Sequence, residues 1–248
     1  MPDKLVIIPT YNEKENIEKI IRTVFSLPEE FHILVIDDGS PDGTAEIVKK
    51  LQQEFPNKLL LTERSGKLGL GTAYIAGFKE AIEKKYDYIF EMDADFSHPP
   101  ASLSDLYTAC SKDGADVAIG SRYIKGISVV NWPLGRILIS YCASMYVRTI
   151  LGMPTRDTTA GFVCYRREVL ENIGIDQIQM KGYGFQIEMK YRSWKLGYLL
   201  KEIPIIFTDR TEGTSKMSGG IFSEALFGVL KMRLKSRKRT NQKNKKNK

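Results

Sequence analysis

Short apolar runs alternate with helical periodicity through the first half of the chain. Lys4 to Pro9 (KLVIIP) is continuous and β-branched, the pattern of a strand buried on both faces of a parallel sheet. It stops at Thr10-Tyr11-Asn12-Glu13, after which Ile17, Ile20, Ile21 and Val24 recur at helical spacing. Phe31 to Ile36 repeats the run and ends at Asp37-Asp38-Gly39-Ser40, with Asp42 the expected N-cap of a helix bearing Ala45, Ile47, Val48 and Leu51. Lys58 to Leu61 predicts a third strand, Arg64 to Gly71 a loop, and Thr72 to Lys84 a helix. Tyr88 to Phe90 leads a fourth strand into Glu91, Asp93 and Asp95, and Asp116 to Ile119 is a fifth. Strands alternating with helices predict right-handed crossovers and an α/β fold, an open parallel sheet covered on both faces.

The second half is less regular. Trp132-Pro133 precedes a long segment, Leu134 to Leu151, whose apolar residues lie almost all round, so it reads either as a core helix or as a helix lying on a membrane surface. Asp157-Thr158-Thr159-Ala160-Gly161-Phe162 opens a strand-like run, and Lys181 to Glu188 enters a helix with Met189, Tyr191, Trp194 and Leu196. Tyr198 to Phe207 is a further strand, with Pro204 placing it at an edge. The expected organisation is a catalytic unit over residues 1–219, an amphipathic helix over 220–235 and a disordered basic tail over 236–248.

Charge changes this picture only at the end of the chain. Of the 37 Lys and Arg residues, ten lie from Lys231 onward without an acid among them, leaving 27 against 30 acids elsewhere. The basicity therefore belongs to the tail, where a run such as QKNKKNK, residues 242–248, has no apolar anchors and is expected to be disordered, with anionic surfaces as its natural partners. A nucleic-acid-binding or scaffold protein acting through that tail is the alternative of another class. The three cysteines, Cys110, Cys142 and Cys164, are widely spaced and read as buried or incidental thiols in a reducing compartment. The N-terminus shows no signal peptide, and the longest uncharged apolar stretch, Ile137 to Val147, is far below the roughly 20 residues that span a bilayer.

Candidate chemistry gathers at strand ends. If the fourth strand stays extended, Asp93 and Asp95 point the same way, and two carboxylates in one place call for a cation between them. Hard oxygen ligands beside a loop suit Mg2+ or Mn2+; the competing reading is a strand fraying into an acidic turn, which Ser97, Pro99 and Pro100 encourage. Thr10 to Glu13, Asp37 to Asp42, Arg64 to Gly71 and Ser121-Arg122-Tyr123 also follow predicted strands, and in open α/β sheets ligands lie outside the carboxyl ends of strands. Glu13, Asp38 and Asp93 are suited to accept hydrogen bonds from a base and ribose. Neither a dinucleotide fingerprint nor a Walker loop fits, since Tyr74 stands where the third glycine belongs and Gly66-Lys67 is followed by leucine.

Together, the Pro9 to Glu13 turn, Asp37-Asp38-Gly39-Ser40, the Arg64 to Gly71 loop, Asp93-Ala94-Asp95, Gly120-Ser121-Arg122-Tyr123 and the late Gly-x-Ser-Lys-Met resemble the dolichol-phosphate (polyprenol-phosphate) mannose synthases. These are family 2 glycosyltransferases of the Rossmann-like GT-A fold, a mixed, mostly parallel sheet. The resemblance runs from about Lys4 to Phe227. It implies a GDP-mannose site involving Pro9, Tyr11, Glu13, Asp38, Lys67 and Asp93, and a Mg2+ or Mn2+ ion on Asp93 and Asp95. Relatives commonly carry Gln where this chain has Ser97, which leaves Ser97 a secondary ligand. A polyprenyl monophosphate acceptor is implied at Arg122, Arg136, Ser140 and Ser215, with Asp95, Arg122, Arg210 and Lys216 as the residues serving transfer. Arg210, Ser215 and Lys216 match a loop that closes over the phosphates. The spacing of Arg136 and Ser140 puts both on one helical face. A phosphate monoester is already anionic near neutral pH, so neither Asp95 nor His98 is required as a general base. UDP-glucose as donor, or a saccharide as acceptor, is the alternative within the class. The expected location is the cytoplasmic face of a membrane, peripherally bound through Leu134 to Leu151 and the C-terminal helix, with a small anchor protein as a further partner and nucleic acid not expected.

Overall fold

The central strand is the KLVIIP run. In the computed structural model, which describes residues 3–180, 182–209 and 226–234, that run is β1 (Lys4–Thr10), followed by α1 (Ile17–Phe25), β2 (His32–Asp37), α2 (Thr44–Glu54), β3 (Leu59–Glu63), α3 (Leu70–Glu83) and β4 (Tyr88–Glu91). A 3-10 turn then leads into α4 (Leu103–Ser111), β5 (Val117–Ser121), β6 (Val129–Val130), α5 (Leu134–Leu151), β7 (Val163–Arg166), α6 (Arg167–Asn172), α7 (Gly182–Lys195), β8 (Leu200–Pro204) and β9 (Phe207–Thr208). Residues 226–234 are helical as well.

Among the described residues the main sheet has seven strands in the order β3-β2-β1-β4-β7-β5-β8, and β6 and β9 form a small parallel pair. Every neighbour in the main sheet is parallel except β7, which runs antiparallel between β4 and β5. This is the mixed, mostly parallel sheet expected. Strand order departs to opposite sides of β1, toward β2 on one side and β4 on the other, so the switch point where such sheets bind ligands lies at the β1/β4 boundary.

Alternation along β1 sorts the core into two layers. Val6 and Ile8 pack with α1, α2 and α4 on one face. Leu5 and Ile7 pack with α3, α6 and α7 on the other. Each fully buried aliphatic side chain contributes about 1.5–3 kcal/mol relative to exposure, which is why the strand needs no alternation of polarity. Gly77 lets α3 approach the sheet: a Cβ there would lie 2.7 Å from Ile7 Cγ2.

Some boundaries differ from expectation. Asp42 lies one residue ahead of the N-cap, Gly43, and its Oδ1 instead accepts the Thr44 N–H at 3.0 Å. β8 ends at Pro204 and is the edge strand, as the proline requires. α5 has the expected span, and the core reading of it holds for its second half only. Its buried residues are Ser144, Val147 and Leu151, all in its second half, where a third cluster joins Val147, Leu151, Ile187, Tyr191 and Val229. Leu134, Leu138, Tyr141 and Met145 stay exposed, Leu134 to 83% and Leu138 to 64%. Their i, i+4, i+7, i+11 spacing makes one largely exposed apolar stripe, in which Tyr141 meets Tyr123 edge-on with ring centroids 5.4 Å apart. Among the described residues no helix is long and apolar enough to cross a membrane.

Candidate active site

The carboxyl ends of β1, β2, β4 and β5 open into one cleft of about 500 Å³. Its floor and one wall are built first from local hydrogen bonds. After β1 the chain turns at Asn12 (φ +57°). Asn12 N–H then donates to Ser40 Oγ at 2.9 Å, Glu13 N–H to Thr44 Oγ1 at 3.0 Å and Lys14 N–H to Asp42 Oδ2 at 3.1 Å. Asp37 is the knot beneath them, accepting from Thr10 Oγ1 at 2.8 Å and from both Ser40 N–H and Oγ at 2.8 and 2.6 Å. These bonds leave Pro9, Tyr11 and Glu13 facing the cleft.

Asp38, also in the wall, accepts from Arg64 Nε at 2.6 Å and from the Leu68 N–H at 3.2 Å. Arg64 Nη1 in turn reaches Thr72 Oγ1 at 3.0 Å, tying the Arg64 to Gly71 loop to the start of α3. The loop hangs Lys67 over the Tyr11 ring, 5.1 Å from its centroid. Arg64 was not singled out in the sequence; nothing there distinguished it from other basic loop residues.

Strand four does not stay extended through its acids. β4 stops at Glu91, the chain turns at Ala94 and Asp95, and Phe96 has φ +60°. The reason is local: Asp95 Oδ1 accepts the Ser97 N–H at 3.1 Å, an Asx turn ahead of two prolines. The turn nonetheless delivers Asp93, Asp95 and Ser97 to the cleft. The Asp93 N–H donates to His98 Nδ1 at 3.1 Å, and Tyr74 Oη donates to Asp93 Oδ1 at 3.3 Å. His98 is buried, stacked on Phe162 at 5.1 Å, and burial lowers its pKa below the ordinary value. As an Nδ1 acceptor it is neutral, with its proton on Nε2.

The opposite wall carries cations. Arg122, at the end of β5, is buried and gripped by Asp157: Nε to Oδ2 at 2.7 Å, Nη2 to Oδ1 at 2.6 Å, and its own N–H to Oδ2 at 2.9 Å. Nη2 also meets Thr159 Oγ1 at 2.9 Å, and Nη1 takes part in none of these bonds. Burial alone would raise the Asp157 pKa; the guanidinium overrides it and holds the carboxyl below its usual range. Arg136 lies in the same wall, 4.1 Å from the Trp132 centroid, with Nη1 donating to Asp209 Oδ2 at 2.8 Å. Ser140, one turn on, does not line the cleft; it accepts from Tyr123 Oη at 2.8 Å, and the shared helical face serves to tie α5 to the end of β5. Arg210, Ser215 and Lys216 lie outside the described residues.

Behind this wall sits a buried charge pair that the sequence did not signal. Lys190 Nζ donates to Ala160 O at 2.6 Å and to Gln186 O and Oε1 at 3.2 Å each, while Gln186 Nε2 donates to Glu91 Oε2 at 2.9 Å. Burial pushes Lys190 down and Glu91 up. The ammonium thus fixes the cleft-lining amide of Gln186 and the 159–161 segment of the wall.

Four carboxylates, those of Glu13, Asp38, Asp93 and Asp95, therefore line the cleft on the side of β1, β2 and β4, with Lys67 among them, while Arg122 and Arg136 line the other side together with a fifth carboxylate, Asp209, which is paired with Arg136. That division suits a substrate with an uncharged, hydrogen-bonding end and a phosphorylated one. The Glycosyl transferase family 2 model matches residues 5–174. The chain belongs to that family. As a family 2 glycosyltransferase it is 46% identical over 233 residues to the polyprenol monophosphomannose synthase of Mycolicibacterium smegmatis, covering 94% of this chain and 88% of that protein. It is 45% identical, again over 233 residues, to the undecaprenyl-phosphate mannosyltransferase of Micrococcus luteus, covering 94% of this chain and 95% of that one. Solved structures share its fold at low identity. A mannosyltransferase from Pyrobaculum calidifontis, in complex with GDP-Man and Mn2+, superposes with TM-score 0.58 at 17% identity over 86% of this chain and 58% of that chain. Glucosyl-3-phosphoglycerate synthase from Mycobacterium tuberculosis, with Mn2+, UDP and its product, gives 0.65 at 17% identity over 94% of this chain and 80% of that one.

Proposed function

We propose that this family 2 glycosyltransferase moves mannose from GDP-mannose to a polyprenyl monophosphate with inversion at the anomeric carbon. The observation that carries the reading is the cleft itself, with two carboxylates at the end of β4 and two arginines lining the same cavity. The 45–46% identity to mannosyltransferases acting on polyprenyl phosphates supports the choice of sugar and acceptor.

In this reading the guanine base lies between the Tyr11 and Lys67 side of the cleft and the Asp38 carboxylate, which Arg64 orients. A hard divalent cation fits the β4 turn. Asp93 and Asp95 present carboxylate oxygens to the cleft within one turn, and Ser97 lines it too. Such a site leaves coordination positions for phosphate oxygens, as Mg2+ or Mn2+ require. Bound there, the ion would neutralise negative charge on the departing diphosphate. The β4 turn and the His98 bond fix the carboxylates that hold it.

Arg122 and Arg136 then orient the acceptor phosphate. A phosphate oxygen forms the new bond to the anomeric carbon as the bond from that carbon to the GDP oxygen breaks, the electron pair leaving with GDP. The nucleophile is already an anion at neutral pH, so no side chain has to take a proton. Neutral His98, committed through Nδ1 to the Asp93 backbone, has no part in that step. The exposed stripe on α5 and the basic residues from Lys231 onward support reversible docking at an anionic membrane surface, where the lipid acceptor resides.

The test is a donor panel. Purified protein with Mn2+ and a short polyprenyl phosphate is offered GDP-mannose, UDP-glucose and other nucleotide sugars. Release of GDP with formation of polyprenyl-phosphate mannose is expected. Preference for UDP-glucose would overturn the donor, and tight RNA or DNA binding at physiological salt without sugar turnover would overturn the enzyme.

A further inference from the structure

Both arginines on the acceptor side of the cleft already hold a carboxylate, but the two pairs differ in kind. Arg122 and Asp157 are buried, joined by two side-chain bonds and one from the backbone. Removing one member of such a pair strands a charge in a dry interior, so no incoming ligand exchanges with it. Arg136 and Asp209 meet through a single bond of 2.8 Å, with side chains 36% and 25% exposed. A pair of that kind is weak and open to exchange.

Asp209 nonetheless does not wander. Its N–H donates to Val130 O at 3.1 Å, and Phe207 N–H to Ser128 O at 3.0 Å, extending the β6–β9 pairing to its backbone. The same strand places Phe207 against Trp132, ring centroids 5.3 Å apart, and Trp132 is the platform on which Arg136 lies. A carboxylate is therefore built onto the cleft-facing guanidinium from outside α5, at the edge where an acceptor phosphate would be received.

We propose that Asp209 is a specificity-determining residue for the acceptor: its carboxylate occupies Arg136 until a phosphate takes the guanidinium over. A phosphate monoester carries close to two charges and three acceptor oxygens and forms the stronger bond to arginine. A neutral alcohol or saccharide hydroxyl cannot displace a carboxylate from that position. The device thus raises the threshold for every acceptor while admitting phosphorylated ones. It rests on the reading of the function given above.

The experiment measures acceptor KM with GDP-mannose, Mn2+ and a short polyprenyl phosphate for wild type, Asp209→Asn, Arg136→Gln and the double variant. Asn keeps the shape and removes the charge. The expected result is a fall in acceptor KM of about two- to five-fold in Asp209→Asn, the size of an exposed ion pair, with donor KM unmoved. In the Arg136→Gln background the same substitution should have no effect, an outcome that a merely structural role for Asp209 does not give. An unchanged or raised acceptor KM in Asp209→Asn, or a fall that persists without Arg136, overturns the proposal. Absence of wild-type turnover on polyprenyl phosphate overturns the functional reading and this one with it; turnover with unresponsive Asp209 variants overturns only the role of Asp209.

Discussion

The two sides of the cleft are built by different means. On the proposed donor side, Tyr11, Asp38, Asp93 and Asp95 follow β1, β2 and β4, and each turn is fixed by hydrogen bonds from residues in the same layer of loops. On the proposed acceptor side, Arg122 is held by Asp157, 35 residues on, and Arg136 by Asp209, 73 residues on. A rigid sheet edge presents most of these carboxylates by itself, because the strand ends are already in register, and only Asp38 takes a counter-charge, from Arg64 just past β3. The acceptor side needs counter-charges brought from other elements, since guanidinium groups drawn together without them would repel and lose hydration.

The comparison breaks most visibly at Asp95. Asp95→Asn, which keeps the Oδ1 acceptor of the turn and removes its charge, should reduce metal-dependent turnover by about three orders of magnitude while leaving the melting temperature nearly unchanged, measured by GDP release and thermal denaturation. Retained turnover would remove the β4 turn from the chemistry.

Asp157→Ala should act in the opposite manner, through stability first. Losing one partner of a buried pair costs about 3–5 kcal/mol, read as a lower denaturation midpoint. The sign of its pH dependence follows from the lowered Asp157 pKa. A depressed folded pKa contributes stability above the ordinary value of 3.8, and that stability is lost as pH falls through the folded value. The gap in melting temperature between wild type and Asp157→Asn should therefore hold through neutral pH and close only below 3.8. A gap that closed near neutrality would place the pair's ionisation elsewhere.

Arg64→Gln tests whether the donor side depends on a charge of its own. Asp38 would lose its closest donor, and GDP-mannose KM should rise about tenfold, the value of one charge-assisted bond, with acceptor KM unaffected. The smallest effect is expected at the surface of α5. Leu134→Gln with Leu138→Gln should weaken partition onto anionic vesicles by about five-fold without changing turnover of a short soluble acceptor, followed by co-sedimentation. Equal vesicle binding by the double variant would take the α5 stripe out of membrane docking.

Legibility in the sequence followed the same division. The strands, their order of appearance and the location of polar residues at their ends could be read directly, because a doubly covered parallel strand must be a continuous apolar run and a catalytic turn must interrupt it. The antiparallel insertion of β7 between β4 and β5 could not, since strand order depends on which edges meet after the chain has folded. Nor could the fate of Ser140, which spacing put beside Arg136 and packing turned toward Tyr123.

What the sequence determined by itself is the alternating frame, the cluster of carboxylates after strand four, and a resemblance that the 46% identity to a polyprenol monophosphomannose synthase bears out. What the tertiary structure decided is which charges are spoken for. Lys190 and Glu91, Arg122 and Asp157, Arg64 and Asp38, and Arg136 and Asp209 are pairings across 99, 35, 26 and 73 positions of the chain. Periodicity reports only what lies within a few residues along one element, whereas a buried charge is tolerable only beside its counter-charge in space. The partner of each arginine, and so which of them remains open to a ligand, is fixed when the sheet closes and not before.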